Sequence, residues 1–274
     1  MCLGEDMPNF KVPNLKHKII IQITDTHLMD HPDTEFVQIN PEQNFHHVME
    51  DVLQRFPHID ALIHTGDLAQ IAHSETYTRY QDYMQNLGIP FFQIPGNHDD
   101  LSLFPFHHPD PIPTVIELGE WRIILLNSVI QGQTDGWIQT EQLQLLQQLL
   151  QQQQDKNIIL ACHHHPFAMQ SHWIDQHKLK NSEQFIQILA NFKHIKAVIY
   201  GHVHQDSSNI YNEIEFLSTP ATCVQFKPLS YDFALDPLAP GYRCLYLKEN
   251  GEFETEVFRL KNYSQKIMKE ISGY

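Results

Sequence analysis

The stretch Lys18-Ile19-Ile20-Ile21-Gln22-Ile23-Thr24-Asp25-Thr26-His27 decides how the chain is read. Its first half is a short apolar run rich in β-branched residues, the pattern of a strand buried on both faces. It then stops on a carboxylate and an imidazole, groups for which a hydrophobic core has no use. Five further apolar runs read as buried strands: IDALIHT at 59–65, PFFQIP at 90–95, WRIILLN at 121–127, NIILAC at 157–162 and KAVIY at 196–200. Four of these also end in polar clusters. Gly66 and Asp67 follow the first of the four, and Gly96, Asn97, His98 and Asp99 the next. His163, His164, His165 and Pro166 follow the third, and Gly201, His202, Val203 and His204 the last. Polar clusters at the carboxyl ends of successive strands are where open α/β sheets place their sites.

Helical patterns lie between the strands. Beyond Asn44, the residues Phe45, Val48, Met49, Val52, Leu53 and Phe56 share one face of a 3.6-residue period. Ser74 is placed to cap a second helix carrying Tyr77, Tyr80, Met84 and Leu87 and ended by Gly88. Asn181, with Gln184 following, is placed to start a third that buries Phe185, Ile188, Leu189 and Phe192. The Gln-rich segment from Gln139 to Gln154 carries Leu143, Leu146, Leu149 and Leu150 at helical spacing, so it reads as an amphipathic helix and not as a prion-like tract. YRCLYLKENGEFETEVFRL alternates around Asn250 and Gly251 as a hairpin does. Early βα units and late antiparallel pairing imply an α/β fold with mixed sheets. A length of 274 residues is one that such layered folds reach around a single core, so one domain is expected over 1–274.

In order, the clusters read Asp-x-His, Gly-Asp, Gly-Asn-His-Asp, His and Gly-His-x-His. This string resembles the motif set of the calcineurin-like metallophosphoesterases. Each block alone is weak; all of them in order, each after a strand, are specific. The resemblance implies a four-layer α/β/β/α sandwich in which two mixed sheets are flanked by helices. It also implies two metal ions side by side, with Asp25, His27 and His204 on one, Asn97, His164 and His202 on the other, and Asp67 bridging them. Within the triple histidine, His164 is chosen because the family pattern is His-x-Pro and Pro166 follows it at that spacing; His163 is the fallback. The donor chemistry agrees independently, since imidazole and carboxylate suit first-row transition metals and a carboxylate can give one oxygen to each ion. Two divalent ions are expected, Fe(II) or Mn(II) ahead of Zn(II). The related purple acid phosphatases carry a metal-binding Tyr where this chain has Gln70, so a ferric-tyrosinate centre is not expected.

Two ions about 3.5 to 4 Å apart lower the pKa of bound water and stabilise both the attacking and the leaving oxygens of an in-line displacement. The expected reaction is therefore phosphodiester hydrolysis by a metal-bound hydroxide. His98, with no metal role, is placed to protonate the leaving alkoxide, and Asp99 to orient it. Contacts to the substrate are expected from His27, Asp67, Asn97, His98 and His204. The formal net charge of −15 argues against a nucleic-acid polymer as partner. Two divalent ions outweigh Asp25, Asp67 and a hydroxide, leaving a local charge of about +1, so the metals supply what the surface lacks.

Two further stretches, SHWIDQHKLKN at 171–181 and STPATCVQFKP at 218–228, resemble bacterial 3′,5′-cyclic AMP phosphodiesterases. The similarity runs from Lys18 to Leu260, which is taken as the core of the domain, with short extensions on either side. It implies a small cyclic nucleotide as substrate, cleaved to 5′-AMP. Asp175, His177 and Asn181 either position that nucleotide or belong to a polar loop capping its own helix. The alternatives are a broader phosphodiesterase acting on other cyclic nucleotides or glycerophosphodiesters, and a non-catalytic scaffold, which would show missing ligands where this chain has none missing.

The remaining composition sets bounds. Hydrophobic residues at 42% and charged residues at 19% are those of a folded protein. No run approaches the roughly 20 apolar residues of a membrane span, and the N-terminal stretch lacks the apolar centre of a secretion signal; a cytoplasmic protein with no membrane partner is expected. Cys2, Cys162, Cys223 and Cys244 are scattered and read as reduced thiols. Histidines, at 19, outnumber Lys and Arg together at 18, which suits metal binding. His31, His46, His47, His58, His107, His108 and His194 nonetheless read as ordinary surface or core side chains. Gly66, Gly96 and Gly201 read as tight turns that let backbone approach the metals. The oligomeric state is not written in the chain.

Overall fold

The strand read from Lys18 onward has no polar face because both of its faces are covered. Ile21 and Ile23 pack with helical side chains such as Phe45, Val52 and Tyr80. Ile20 packs with Ile63, Ile123, Ile159 and Ile199, which belong to two different sheets. The structure is a computed structural model that describes residues 17–105 and 112–263; Cys2, His107, His108 and most of both terminal extensions lie outside the described residues.

In chain order, the first half holds strand β1 (His17–Ile23), helix α1 (Pro41–Arg55), β2 (Ala61–His64), α2 (Ser74–Asn86), β3 (Phe91–Gln93), β4 (Thr114–Leu118), β5 (Trp121–Leu125) and α3 (Thr140–Gln152). The second half holds β6 (Asn157–Ala161), α4 (His172–Asp175), α5 (Ser182–Leu189), β7 (Ile195–Tyr200), β8 (Ser207–Tyr211), β9 (Ile214–Ser218), β10 (Gln225–Phe226), β11 (Leu235–Asp236), β12 (Gly241–Lys248) and β13 (Phe253–Arg259). One sheet has the order β13-β12-β1-β2-β3 and the other β4-β5-β6-β7-β9-β8. Both are mixed: β1, β2 and β3 are parallel neighbours, as are β5, β6, β7 and β9, while β12, β13, β4 and β8 join antiparallel.

Three apolar clusters stack the layers. Side chains of α1 and α2 cover one sheet, side chains of α3 and α5 cover the other, and a third cluster lies between the sheets. This is the expected four-layer sandwich. Polar groups in the seam between the sheets are paired, as burial requires. Gln22 donates to Thr65 Oγ1 and to the Tyr200 carbonyl, and accepts from Thr219 Oγ1 at 2.6 Å. Buried Arg243 donates to Asp206 and to the Ser218 carbonyl.

All six apolar runs are strands, and the final hairpin forms as expected. The helix starts differ in detail. Asn40 caps α1 by accepting from the Gln43 amide, with Pro41 in the first turn. Ser74 is the first residue of α2 and does not cap it; His73 holds that position. Asn181 occupies the cap position of α5, but its side chain bonds the backbone of Ile138 in both directions. Among the described residues, Cys162, Cys223 and Cys244 are buried free thiols, and no helix is long and apolar enough to cross a membrane.

Candidate metal centre

The polar clusters leave their strands on strained backbone. Asp25, His27, Asp67, His202 and His204 have φ between 46° and 68°, the left-handed region that side-chain-bearing residues avoid and that persists only where the surroundings over-determine it. Two backbone bonds hold it here, from the Asp25 amide to the Gly66 carbonyl and from the His27 amide to the Asp67 carbonyl, both 3.0 Å. The consequence is that Asp25 and His27 converge on one volume. Gly66, at φ +102°, makes the turn that no other residue makes cheaply. A side chain at Gly96 would fall on the backbone nitrogen and carboxylate of Asp67.

The converging atoms form a chain across the seam between the sheets. Asp25 Oδ1 lies 3.3 Å from His204 Nε2, which lies 3.2 Å from His27 Nε2. His27 Nε2 is 3.7 Å from Asp67 Oδ2, which is 3.3 Å from His163 Nε2, itself 3.2 Å from Asn97 Oδ1. Asp67 stands in the middle, its Oδ1 fixed by the His98 amide at 2.8 Å.

Backbone carbonyls set which imidazole nitrogen keeps a lone pair. His204 Nδ1 is 2.7 Å from the Val224 carbonyl, His163 Nδ1 is 2.7 Å from the Thr65 carbonyl, and His202 Nε2 is 3.0 Å from the His177 carbonyl. A carbonyl only accepts, so the proton sits on the nitrogen facing it and the opposite nitrogen is left as a donor to a cation. His164 is arranged the other way. Ser128 Oγ accepts from the amides of His163 and His164, so its own proton goes to His164 Nδ1 at 2.8 Å. That leaves the proton of His164 on Nε2, a buried atom with no hydrogen-bond partner. His163, the fallback of the sequence reading, has Nε2 facing Asp67 and Asn97, and His164 lies beside it with Nδ1 on the Ser128 hydroxyl.

The electrostatics suit a cation. Burial drives His27 down to about 3 and His202 well below the usual imidazole range, so both stay neutral. Burial also disfavours charge on His163, yet Asp67 lifts it to about 9, so positive charge is favoured at that point. Burial pushes Asp67 up, but the field of His163 and His98 holds it well below the usual carboxylate range. Nitrogen, carboxylate and amide oxygens gathered this closely fit a first-row divalent metal. Asp25 with His27 and His204, Asp25 with Asp67 and His163, His27 with Asp67 and His98, and His163 with His164 and His202 each bring donor atoms close enough to share an ion.

Asp99 does not orient His98. Its carboxylate accepts from the amides of Gly96, Leu68 and Ala69 and from Tyr77 Oη, tying the loops after β2 and β3 together. His98 instead has Nδ1 3.3 Å from the Gln70 carbonyl. With Asp67, Asn97 and His202, it lines a cavity of about 650 Å³ that Trp173, Phe226, Tyr231 and Phe233 also line. Of the three loop residues, only His177 lines this cavity. Asp175 accepts from the Met169 amide and lies 3.5 Å from His165, and Asn181 is committed to Ile138. Sequence reasoning missed Ser128 and His64. Buried His64 accepts from the Gly66 amide and pairs with Thr26 Oγ1, and burial holds it neutral by lowering it to about 4. Neither carries a motif; only the folded neighbourhood reveals them.

The model of the calcineurin-like phosphoesterase family matches residues 19–206. A 3′,5′-cyclic adenosine monophosphate phosphodiesterase CpdA of Vibrio vulnificus is 40% identical over 259 residues, covering 93% of this chain and 94% of that protein. The protein of the same name in Escherichia coli K12 is 35% identical over 245 residues, covering 88% and 89%. Among solved structures, a dimetal phosphatase from Danio rerio superposes with a TM-score of 0.61 at 13% identity, over 88% of this chain and 98% of that one, a likeness of fold.

Proposed function

The chain belongs to the calcineurin-like phosphoesterase family, and from that membership we propose that it hydrolyses 3′,5′-cyclic AMP to 5′-AMP. The observation that carries the reading is the likeness, along nearly the whole of both chains, to proteins curated as cyclic AMP phosphodiesterases. Asp25, His27 and His204 would hold one divalent ion and Asn97, His163 and His202 a second, with Asp67 between them. Bound there, the ions would supply positive charge against the phosphate and make water a competent nucleophile near neutral pH.

The chain's own residues account for the rest. Of the residues expected to contact substrate, Asp67, Asn97 and His98 line the cavity that the phosphate would enter, while His27 and His204 are fully buried. His98, held at Nδ1 by the Gln70 carbonyl, would give the leaving oxygen a proton from Nε2 when it is an imidazolium, the form that carries a proton on both ring nitrogens. The oxygen of water would join phosphorus and release its proton to solvent, the bond from phosphorus to the 3′ oxygen would break, and the proton of His98 would pass to that oxygen, solvent then returning one to His98. The partner is thus a small cyclic nucleotide. The test is to strip the purified protein of metal, reload it with Fe(II), Mn(II) or Zn(II), and assay cyclic nucleotides, glycerophosphodiesters and aryl phosphodiesters. Release of 5′-AMP on reloading, with Fe(II) or Mn(II) at least as effective as Zn(II), is expected. Turnover of aryl or glycerol esters with cyclic AMP left intact would move the assignment to the broader phosphodiesterase.

A further inference from the structure

The cavity that begins at Asn97 and His98 ends on aromatic rings that the chemistry of phosphate cleavage does not use. Phe226 stacks on His204, with ring centroids 3.8 Å apart and planes within 9°, and Trp173 and Phe233 pack edge-on around Phe226. Beyond them, His172 and Tyr231 stack face to face at 4.5 Å with their planes 5° apart. Both line the same cavity. Tyr231 is nonetheless 71% exposed, a large apolar surface left to water at the rim of a catalytic cleft.

The two rings come from different elements, and the structure locks them together. His172 opens the short helix α4, and Tyr231 lies in the turn between β10 and β11. The Ser230 amide donates to the buried Ser171 Oγ, and the Ser230 hydroxyl donates to the Asp232 carbonyl. The stack is therefore held before any ligand arrives, which reduces the ordering cost of binding.

We propose that the His172–Tyr231 stack is the base subsite of this enzyme, taking the purine of the cyclic nucleotide while its phosphate lies at Asn97 and His98. The proposal rests on the cyclic nucleotide reading above. Stacking recognises a flat π-face and not a hydrogen-bond pattern. The subsite then favours purines, with their larger face, over pyrimidines, and separates adenine from guanine poorly.

The experiment is steady-state kinetics of the metal-loaded protein on 3′,5′-cyclic AMP, GMP, CMP and UMP, with Tyr231→Ala, Tyr231→Phe and His172→Ala beside the unaltered chain. Both rings are exposed, so neither alanine endangers the fold. Base stacking on an aromatic side chain is sensitive to alanine substitution at a level equivalent to about 5- to 150-fold. Each alanine variant should raise KM for the purine nucleotides within that range, with the loss in KM and not in kcat, and should shrink the preference for purines; Tyr231→Phe should keep both. Unchanged KM in the alanine variants, or a loss confined to kcat, while the unaltered chain cleaves cyclic AMP, overturns the base subsite alone. Failure of the unaltered chain to cleave any cyclic nucleotide, while it cleaves an aryl phosphodiester, overturns the function and the subsite together.

Discussion

A proton donor in this cavity has to stand beside the leaving oxygen without being consumed as a metal ligand. His98 has its amide on Asp67 Oδ1 and its Nδ1 facing the Gln70 carbonyl, and its ring also lies with His27 and Asp67 among the groups close enough to share an ion, so its role as proton donor is a matter for kinetics. If it is the general acid, its importance should grow with the basicity of the leaving group, because a ribose alkoxide needs a proton in the transition state and a nitrophenolate hardly does. His98→Ala is expected to slow cyclic AMP hydrolysis by about 10²- to 10⁴-fold and a nitrophenyl phosphodiester much less, with metal content unchanged. Equal losses would instead make it a residue that orients phosphate. The neighbouring histidines show what a motif can and cannot say. Asp25, His27, Asp67, Asn97, His202 and His204 stand out in the sequence because each sits in a block whose spacing is distinctive, and the fold brings them together. The triple histidine does not stand out in this way, because the contacts that distinguish His163 from His164, to the Thr65 carbonyl and the Ser128 hydroxyl, come from residues far from it in sequence. His163→Ala should lose about one metal equivalent per chain by elemental analysis, and His164→Ala should retain both. The opposite result restores His164 as the ligand.

Elements were legible where burial on both faces wrote a continuous apolar run, as in β1, β2, β6 and β7. Those not anticipated lack that signature. In β8, Ser207–Tyr211, the backbone pairs only on one side and Ile210 faces water, so neither composition nor alternation announces a strand. Its partner β9 follows too closely on β8 to stand out from a loop, although Phe216 and Leu217 are buried. The pair β10 and β11 is too short for any periodicity, yet its turn carries Tyr231 to the cleft. Asp99 illustrates the same limit in a loop. Its place beside His98 in the chain suggested a local partnership, whereas its carboxylate gathers three amides and a tyrosine hydroxyl from the second and third strand ends. Burial and the nearby Asp67 lift it to about 6 against those hydrogen bonds. It thus positions the loop that presents Asn97 and His98 and takes no part in the proton transfer assigned to His98.

At the scale of the molecule, the proposed ligands belong to two sheets. Asp25 and His27 follow β1, Asp67 follows β2 and Asn97 follows β3, all in one sheet; His163 follows β6, and His202 and His204 follow β7, in the other. Each proposed ion therefore draws on both sheets and cross-links the sandwich at the end of its seam, where the inter-sheet core gives way to polar groups. A ligand that binds only the folded chain stabilises it by about 2.7 kcal/mol at a hundred times its dissociation constant. For a chain of 274 residues, where one kcal/mol moves Tm by about 2 to 4 °C, stripping the metal should lower Tm by about 5 to 10 °C. The drop should reverse on adding Mn(II) and should grow with its concentration. Asp67→Asn removes the carboxylate proposed to serve both sites, so this variant should start near the stripped value and respond little to chelator. Differential scanning calorimetry with parallel metal analysis makes the measurement. Complete removal of metal with Tm unchanged would show that the two sheets hold the site without its ions, and that the seam is closed by contacts such as Gln22 with Thr219 and Arg243 with Asp206 alone.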